Sequence, residues 1–366
     1  MSPITVDTLD PEAVQRTVEY YFDQGWTDGM PVVPATESRL ADFLATTPRG
    51  PDEVITSGPQ WGLSCTVSQA AINAIMAGCR PEYFPVILAG MEAMWGGERN
   101  ISPLLVSTTG SAPMLVVNGP IREEIGLNSA GSLFGSGFRA NSTIGRAIRL
   151  IILNVFQLRP HELDQATQAS PAKYNVCFGE NEEESPWEPL HVELGYQAGE
   201  STVTGFLARG TLHIENRHCQ HPERLLMSIA DAMSYGGAQY APHGATVVVM
   251  GPEHAQLVAK QGWTKAQTRQ FLWEHYGRTM GDLRRMGKGC FEELSSGQFW
   301  LADEPNGKLM EGTADLPDDH FWRFGRSVDD VLLLVAGANN AGVSAVIPPI
   351  GPVGGRRNMA AVQRTE

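Results

Sequence analysis

Three short apolar runs in the chain are uninterrupted by any charged residue: Ala112–Asn118 (APMLVVN), Thr246–Met250 (TVVVM) and Val331–Val335 (VLLLV). Each is followed within two residues by glycine. Runs of this length without polar alternation read as strands buried on both faces. A sheet with two buried faces needs helices laid on it, so these runs limit the fold more than any other feature.

The surrounding pattern supplies the helices. Ser201–Glu215 reads as two strands around Arg209-Gly210, and then the elements alternate. Helices are expected over Pro222–Tyr235, Pro252–Gln261 and Lys265–Tyr276, and a last short strand in SAVIP. Residues 287–325 read as irregular. In the N-terminal half, Pro11–Phe22 is a helix with Asp10 as N-cap, and Ser38–Ala45 is another. A helical hairpin follows, with Val67–Ala77 closed by Gly78 and a second helix opening at Pro81-Glu82. The expectation is an α/β fold, a layered mixed sheet with flanking helices. Two packed subdomains of similar size are expected, 1–200 helix-rich with a glycine-rich loop and 201–366 α/β.

Charge narrows the partners. The 366 residues include 27 Lys and Arg against 41 Asp and Glu, a formal net charge of −14. That argues against nucleic acid and anionic membranes, both of which need a cationic surface. No apolar run approaches the roughly 18–20 residues of a membrane span, and MSPITVDTLDPEAV has no basic-then-apolar leader. Cys65, Cys79, Cys177, Cys219 and Cys290 are scattered, and read as thiols. A cytoplasmic protein with a small-molecule substrate is expected.

The stretch GSGFRANSTIGRA points to an anion site. Gly135 and Gly137 permit positive φ, so successive amides can converge into a nest. Asn141, Ser142 or Thr143 can cap the following helix, whose N-terminus favours negative charge. Arg139 and Arg146 add bidentate donors suited to carboxylate or phosphate. The bland alternative is a tight turn whose arginines pair with the chain's own carboxylates. The loop is neither a dinucleotide fingerprint nor a nucleotide P-loop, so the cofactor is left open.

Other candidates lie at element ends. Cys65 precedes a helix, where the dipole lowers a thiol pKa, or else it is a small buried residue. Glu253 and His254 follow the strand Thr246–Met250, where an acid/base pair is useful, although Glu253 also complements a helix dipole. Asn339 and Asn340 in GANNAG orient a substrate or simply make a turn. His213, His218, Cys219 and His221 are dense in metal-competent groups, but their spacing matches no zinc signature, so no metal ligand is assigned.

GWTDGMPVVPAT, NAIMAGCRPEYFPVILAG, NGPI…IGLNS…GSGFRANSTIGRAIRL and GPEHAQLVAKQGWTKAQTRQFLWEH together resemble the large domain of bacterial proteins associated with the UGSC (seleno)cysteine module. The resemblance covers most of the chain and implies thiol or selenol redox chemistry on a separate Cys/Sec segment. This chain has no CGSC sequence, and WGLSC at Trp61–Cys65 is only an echo of one.

These readings converge on an enzyme with lyase- or hydrolase-type acid/base chemistry on a small anionic metabolite. The 135–146 loop would hold the anion, Glu253 and His254 would move protons, and Cys65 would serve as nucleophile. The alternatives are a thiol-based redox or electrophile-handling protein centred on Cys65, and a non-catalytic binding protein that forms a homo-oligomer through the 66–95 hairpin.

Overall fold

The computed structural model describes residues 10–58, 62–96, 101–235, 245–286, 316–350 and 358–365. The chain divides into two compact units, one of residues 1–179, 194–209 and 356–366, the other of 180–193 and 210–355. Both place helices against mixed sheets, the α/β arrangement that doubly buried strands require. Residue 200 falls inside the 194–209 return of the chain to the first unit.

In the first unit, Ala112–Asn118 is buried along its whole length. It pairs antiparallel with Thr202–Ala208 and parallel with Cys177–Gly179, and Met359–Ala361 pairs antiparallel with Thr202–Ala208. The helix Phe84–Trp95, entered through a 3₁₀ turn at Pro81–Tyr83, packs on Thr202–Ala208. Its hairpin partner Val67–Ala77 starts with a Thr66/Gln69 capping box and ends at Gly78, whose φ of +88° an L side chain would strain. The apolar side chains of the hairpin, among them Ala71, Ile75, Val86 and Met91, are buried inside this unit.

The helix Arg139–Asn154 lies against Val67–Ala77. Its apolar stripe of Ile144, Ala147, Ile148 and Ile151 follows the i, i+3, i+4, i+7 period and is fully buried. Gly145 lets another segment approach. A β-carbon there would collide with Asn175 Oδ1 and come within 2.9 Å of the Val176 backbone nitrogen, so residues 175–176 run directly over the helix.

The second unit orders its strands Val331–Val335, Thr246–Met250, Val343–Ile347, Leu212–Glu215. The first two are parallel, and the next two each run antiparallel to the neighbour before them. The helices Pro222–Ser234, Pro252–Lys260 and Lys265–His275 contribute Leu225, Leu226, Ile229, Val258 and Leu272 to a core shared with Val248 and Leu333. The two strands expected around Arg209-Gly210 therefore part there, one to each unit's sheet. Of the stretch expected to be irregular, residues 287–315 and Cys290 lie outside the described residues. Phe321–Arg323 is a strand paired with Gly277–Thr279. No described helix is long and apolar enough to cross a membrane.

Gly145→Ala should destabilise the chain by about 1–3 kcal/mol, because a backbone neighbour cannot yield as a side-chain tip can. A shift of the urea midpoint checks this. An unchanged midpoint would mean that residues 175–176 do not press on the helix.

Candidate functional site

The glycine-rich loop leads into its helix earlier than a Ser or Thr cap would require. The helix begins at Arg139, Phe138 is its N-cap, and no side chain caps it. Asn141, Ser142 and Thr143 are thus inside the first turn. Thr143 Oγ1 donates to the Arg139 carbonyl (2.8 Å), and the Ser142 amide donates to the Phe138 carbonyl (3.0 Å). Asn141 is a buried tie. Its Oδ1 accepts from the Asn128 amide (2.8 Å), while Nδ2 donates to the carbonyls of Asn128 (2.9 Å) and Cys177 (3.0 Å). Gly135 and Gly137 lie in the exposed turn before the helix, Gly137 at φ +117°.

The two arginines expected to receive an external anion are occupied by the chain itself. Arg139 donates through Nε and Nη2 to the Gly78 carbonyl (3.1 and 2.9 Å), which satisfies the end of the helix Val67–Ala77. Arg146 grips Asp28 through Nε and Nη2 (both 2.8 Å), and Nη2 also donates to the carbonyls of Met30 and Pro31. Asn154 and Arg159 donate to the carbonyls of Trp26 and Gly25. One face of this region therefore pins the GWTDGMP loop. The correction has a plain cause, since the carboxylate that Arg146 needs sits in that loop, 118 residues away.

One turn further along the same helix, the chemistry is different. Arg149 and Leu153 line a cavity of about 530 Å³ in the first unit, together with Thr27, Asp28 and residues from the 160–174 loop. Arg149 has a side chain only 12% exposed, yet among the described residues no group accepts a hydrogen bond from its guanidinium. Its nearest carboxylate oxygen is Asp164 Oδ2, at 4.0 Å. Asp164 is already committed to Lys173, whose Nζ lies 2.7 Å from Oδ1 and 2.5 Å from Oδ2. Asp164 Oδ1 also accepts from the Ala166 amide (3.3 Å).

Both cations are held in unfavourable surroundings. Burial pushes the Arg149 pKa down, and Asp164 and Asp28 only partly counter it. Burial also depresses Lys173, opposed by the Asp164 hydrogen bond and charge and reinforced by Arg149. With Arg146 matched by Asp28, Arg149 and Lys173 share one carboxylate. The cluster of Arg146, Arg149, Lys173, Asp28 and Asp164 thus carries one surplus positive charge in a protein whose net charge is −14.

The loop that frames the cavity is strained. His161 and Ala169 both line it, at φ +69° and +64°, a region that few non-glycine residues occupy. Ala169 is held by its neighbours: Thr167 donates to the Thr108 carbonyl (2.9 Å) and Ser170 to the Gly110 carbonyl (3.2 Å). Gly110 has no β-carbon, and one would collide with Ala169 Cα.

The other candidates stand apart from this cavity. Glu253 is exposed in the first turn of its helix. His254 is buried, with Nδ1 2.7 Å from Ser344 Oγ and Nε2 3.2 Å from the Asn216 carbonyl. The carbonyl requires a proton on Nε2, so Nδ1 accepts from the Ser344 hydroxyl, which accepts in turn from the Gly251 amide. Burial lowers the His254 pKa, which favours this neutral form. Asn339 donates to Glu184 Oε2 (2.9 Å) and Gln256 Oε1 (3.3 Å), and Asn340 is in an exposed turn. His213 is on the strand Leu212–Glu215, with His218, Cys219 and His221 in the segment after it. Among the described residues no three His, Cys, Asp or Glu groups are placed to hold a metal ion.

Cys65 lies on the strand Leu63–Thr66, one residue before the N-cap. It has no exposure, and burial pushes its thiol up to about 12, opposite to the direction expected from a helix dipole. Desolvation wins because among the described residues no cation offsets it.

Arg149, Asp164 and Lys173 are the residues that the sequence reading passed over. Arg149 had a signal, standing three residues after Arg146 on the same helix face. Asp164 and Lys173 had none, because their segment has no periodicity. No family model matches the chain, and neither a curated protein nor a solved structure gives a significant match.

At about pH 8, below the raised thiol values, iodoacetamide should leave Cys65, Cys79 and Cys177 unmodified in the folded chain and reach half-buried Cys219. Peptide mapping before and after unfolding reads this out. Fast native alkylation of Cys65 would restore it as a reactive thiol.

Proposed function

We propose that the first unit binds a small anionic metabolite, a carboxylate or phosphate, in the Arg149–Lys173 cavity and acts on it by acid/base chemistry of lyase or hydrolase type. The observation that carries this reading is the Arg149 guanidinium, mostly buried, facing the cavity and without a hydrogen-bond acceptor among the described residues. A guanidinium that lines a cavity without a protein acceptor has donors to offer, and a planar anion satisfies two of them at once. A cavity of about 530 Å³ lies in the range of small-molecule sites. Asp164 and Lys173 then form the proton-handling pair, a carboxylate and an ammonium in direct contact beside the bound anion. They take the acid/base role that the sequence reading gave to Glu253 and His254.

The surroundings of Cys65 favour this reading over a thiol-centred one, since a buried thiol with a raised pKa is a poor nucleophile.

Arg149→Met tests the proposal, because it keeps length and apolar bulk while removing the guanidinium. Calorimetric titration with oxalate, acetate and inorganic phosphate should show affinity for at least one of them falling about tenfold or more. The melting temperature should hold or rise, since an imperfectly paired buried charge is being removed. Unchanged affinity in the variant, or no binding of any of the three to the unsubstituted chain, would overturn the reading.

A further inference from the structure

The cavity places an amine beside the anion-holding arginine. Arg149 Nη2 and Lys173 Nζ lie 4.0 and 2.5 Å from the same atom, Asp164 Oδ2, so they are no further apart than those two distances combined. A carboxylate seated on Arg149 therefore brings the carbon next to it within reach of Lys173. We infer that the ligand is a 2-oxo acid, held by its carboxylate on Arg149, and that Lys173 Nζ attacks its carbonyl to form an imine. This rests on the anion-binding reading above and adds the substrate class and a covalent step.

Three further observations support it. Among the described residues Asp164 is the only partner of the Lys173 ammonium, and a carboxylate hydrogen-bonded to an ammonium is a built-in acceptor for its proton. Desolvation and the neighbouring guanidinium both ease that proton's departure. Asp164 itself is buried, so the proton stays in the pair instead of being lost to bulk water.

The step balances within these groups. Lys173 ammonium gives a proton to Asp164, and the free amine attacks the carbonyl carbon. The carbonyl π electrons move to oxygen, which takes a proton from the attacking nitrogen to give a carbinolamine. Asp164 then returns its proton to the carbinolamine hydroxyl, which leaves as water while the nitrogen lone pair closes the C=N bond. The product is a protonated imine on Lys173, with Asp164 a carboxylate again. Such an iminium withdraws electrons from the adjacent carbon, so a C–H or C–C bond there can break, as lyase chemistry requires.

Borohydride trapping tests it. The folded chain is incubated with pyruvate, 2-oxobutyrate or 2-oxoglutarate, reduced, and examined by intact mass and peptide mapping. The expected result is one reduced adduct per chain on Lys173 with at least one of these acids. It should be absent from Lys173→Arg, which keeps the charge opposite Asp164, and lost in Arg149→Met. Oxalate, which has the same carboxylate but no ketone, separates the two readings. Arg149-dependent oxalate binding without a Lys173 adduct would overturn the imine and leave the anion site standing. No oxalate binding and no adduct would remove the 2-oxo acid, and failure of acetate and phosphate to bind as well would remove the anion site. Adducts spread over several lysines and retained in Lys173→Arg would also overturn the inference. Circular dichroism melts of both variants exclude misfolding as the cause of a lost adduct.

Discussion

Asp164 is a buried carboxylate that has to serve two buried cations, and it serves them unequally. Lys173 takes both of its oxygens, and Arg149 is held at 4.0 Å. Two positive charges at this spacing repel by roughly 2–3 kcal/mol at an effective dielectric of about 20. The attraction of both cations to Asp164 outweighs that repulsion, and further contacts fix the helix and loop bearing the charges. Here the helix is fixed by its apolar stripe against Val67–Ala77, and the loop by its amide contacts to residues 108–110. An entering anion relieves the repulsion and supplies the acceptor that Arg149 lacks. An anion is therefore the ligand that the proposed site would favour.

The same helix separates framework charge from loosely paired charge by position. Arg139 closes a neighbouring helix and Arg146 clamps the 28–31 segment, so both are consumed in holding the framework. Arg149 stands one turn beyond Arg146, where the 160–174 loop opens away from the helix, and it is left over. Gly145 lets residues 175–176 cross the helix closely, which fixes where the Lys173 segment comes down. Framework and site are therefore parts of one packing solution.

What the sequence disclosed follows from the range of the forces involved. The strands Ala112–Asn118, Thr246–Met250 and Val331–Val335 were legible because burial on both faces leaves a local apolar run. The Gly78 cap of Val67–Ala77 was legible because capping acts within about one turn. The basic content of the Arg139–Asn154 helix was also visible, but not which arginine is left at a distance from its carboxylate. Arg146 meets Asp28 across 118 residues of chain, and Asp164 joins Arg149 only through a loop without periodicity. The positive φ of His161 and Ala169 was equally hidden, because nothing in those residue types announces it. His254 and Cys65 were placed by strand-end and helix-end rules, and for both desolvation overrode the local expectation.

The central claim is that the surplus positive charge lies at Arg149 and Lys173, not at the glycine-rich turn before the helix. Crystals grown with selenate, a tetrahedral oxyanion with a usable anomalous signal, would locate it directly. The account predicts an anomalous peak inside the cavity, within hydrogen-bonding reach of the Arg149 guanidinium. A peak at Gly135–Arg139, with the cavity empty of selenium, would contradict it.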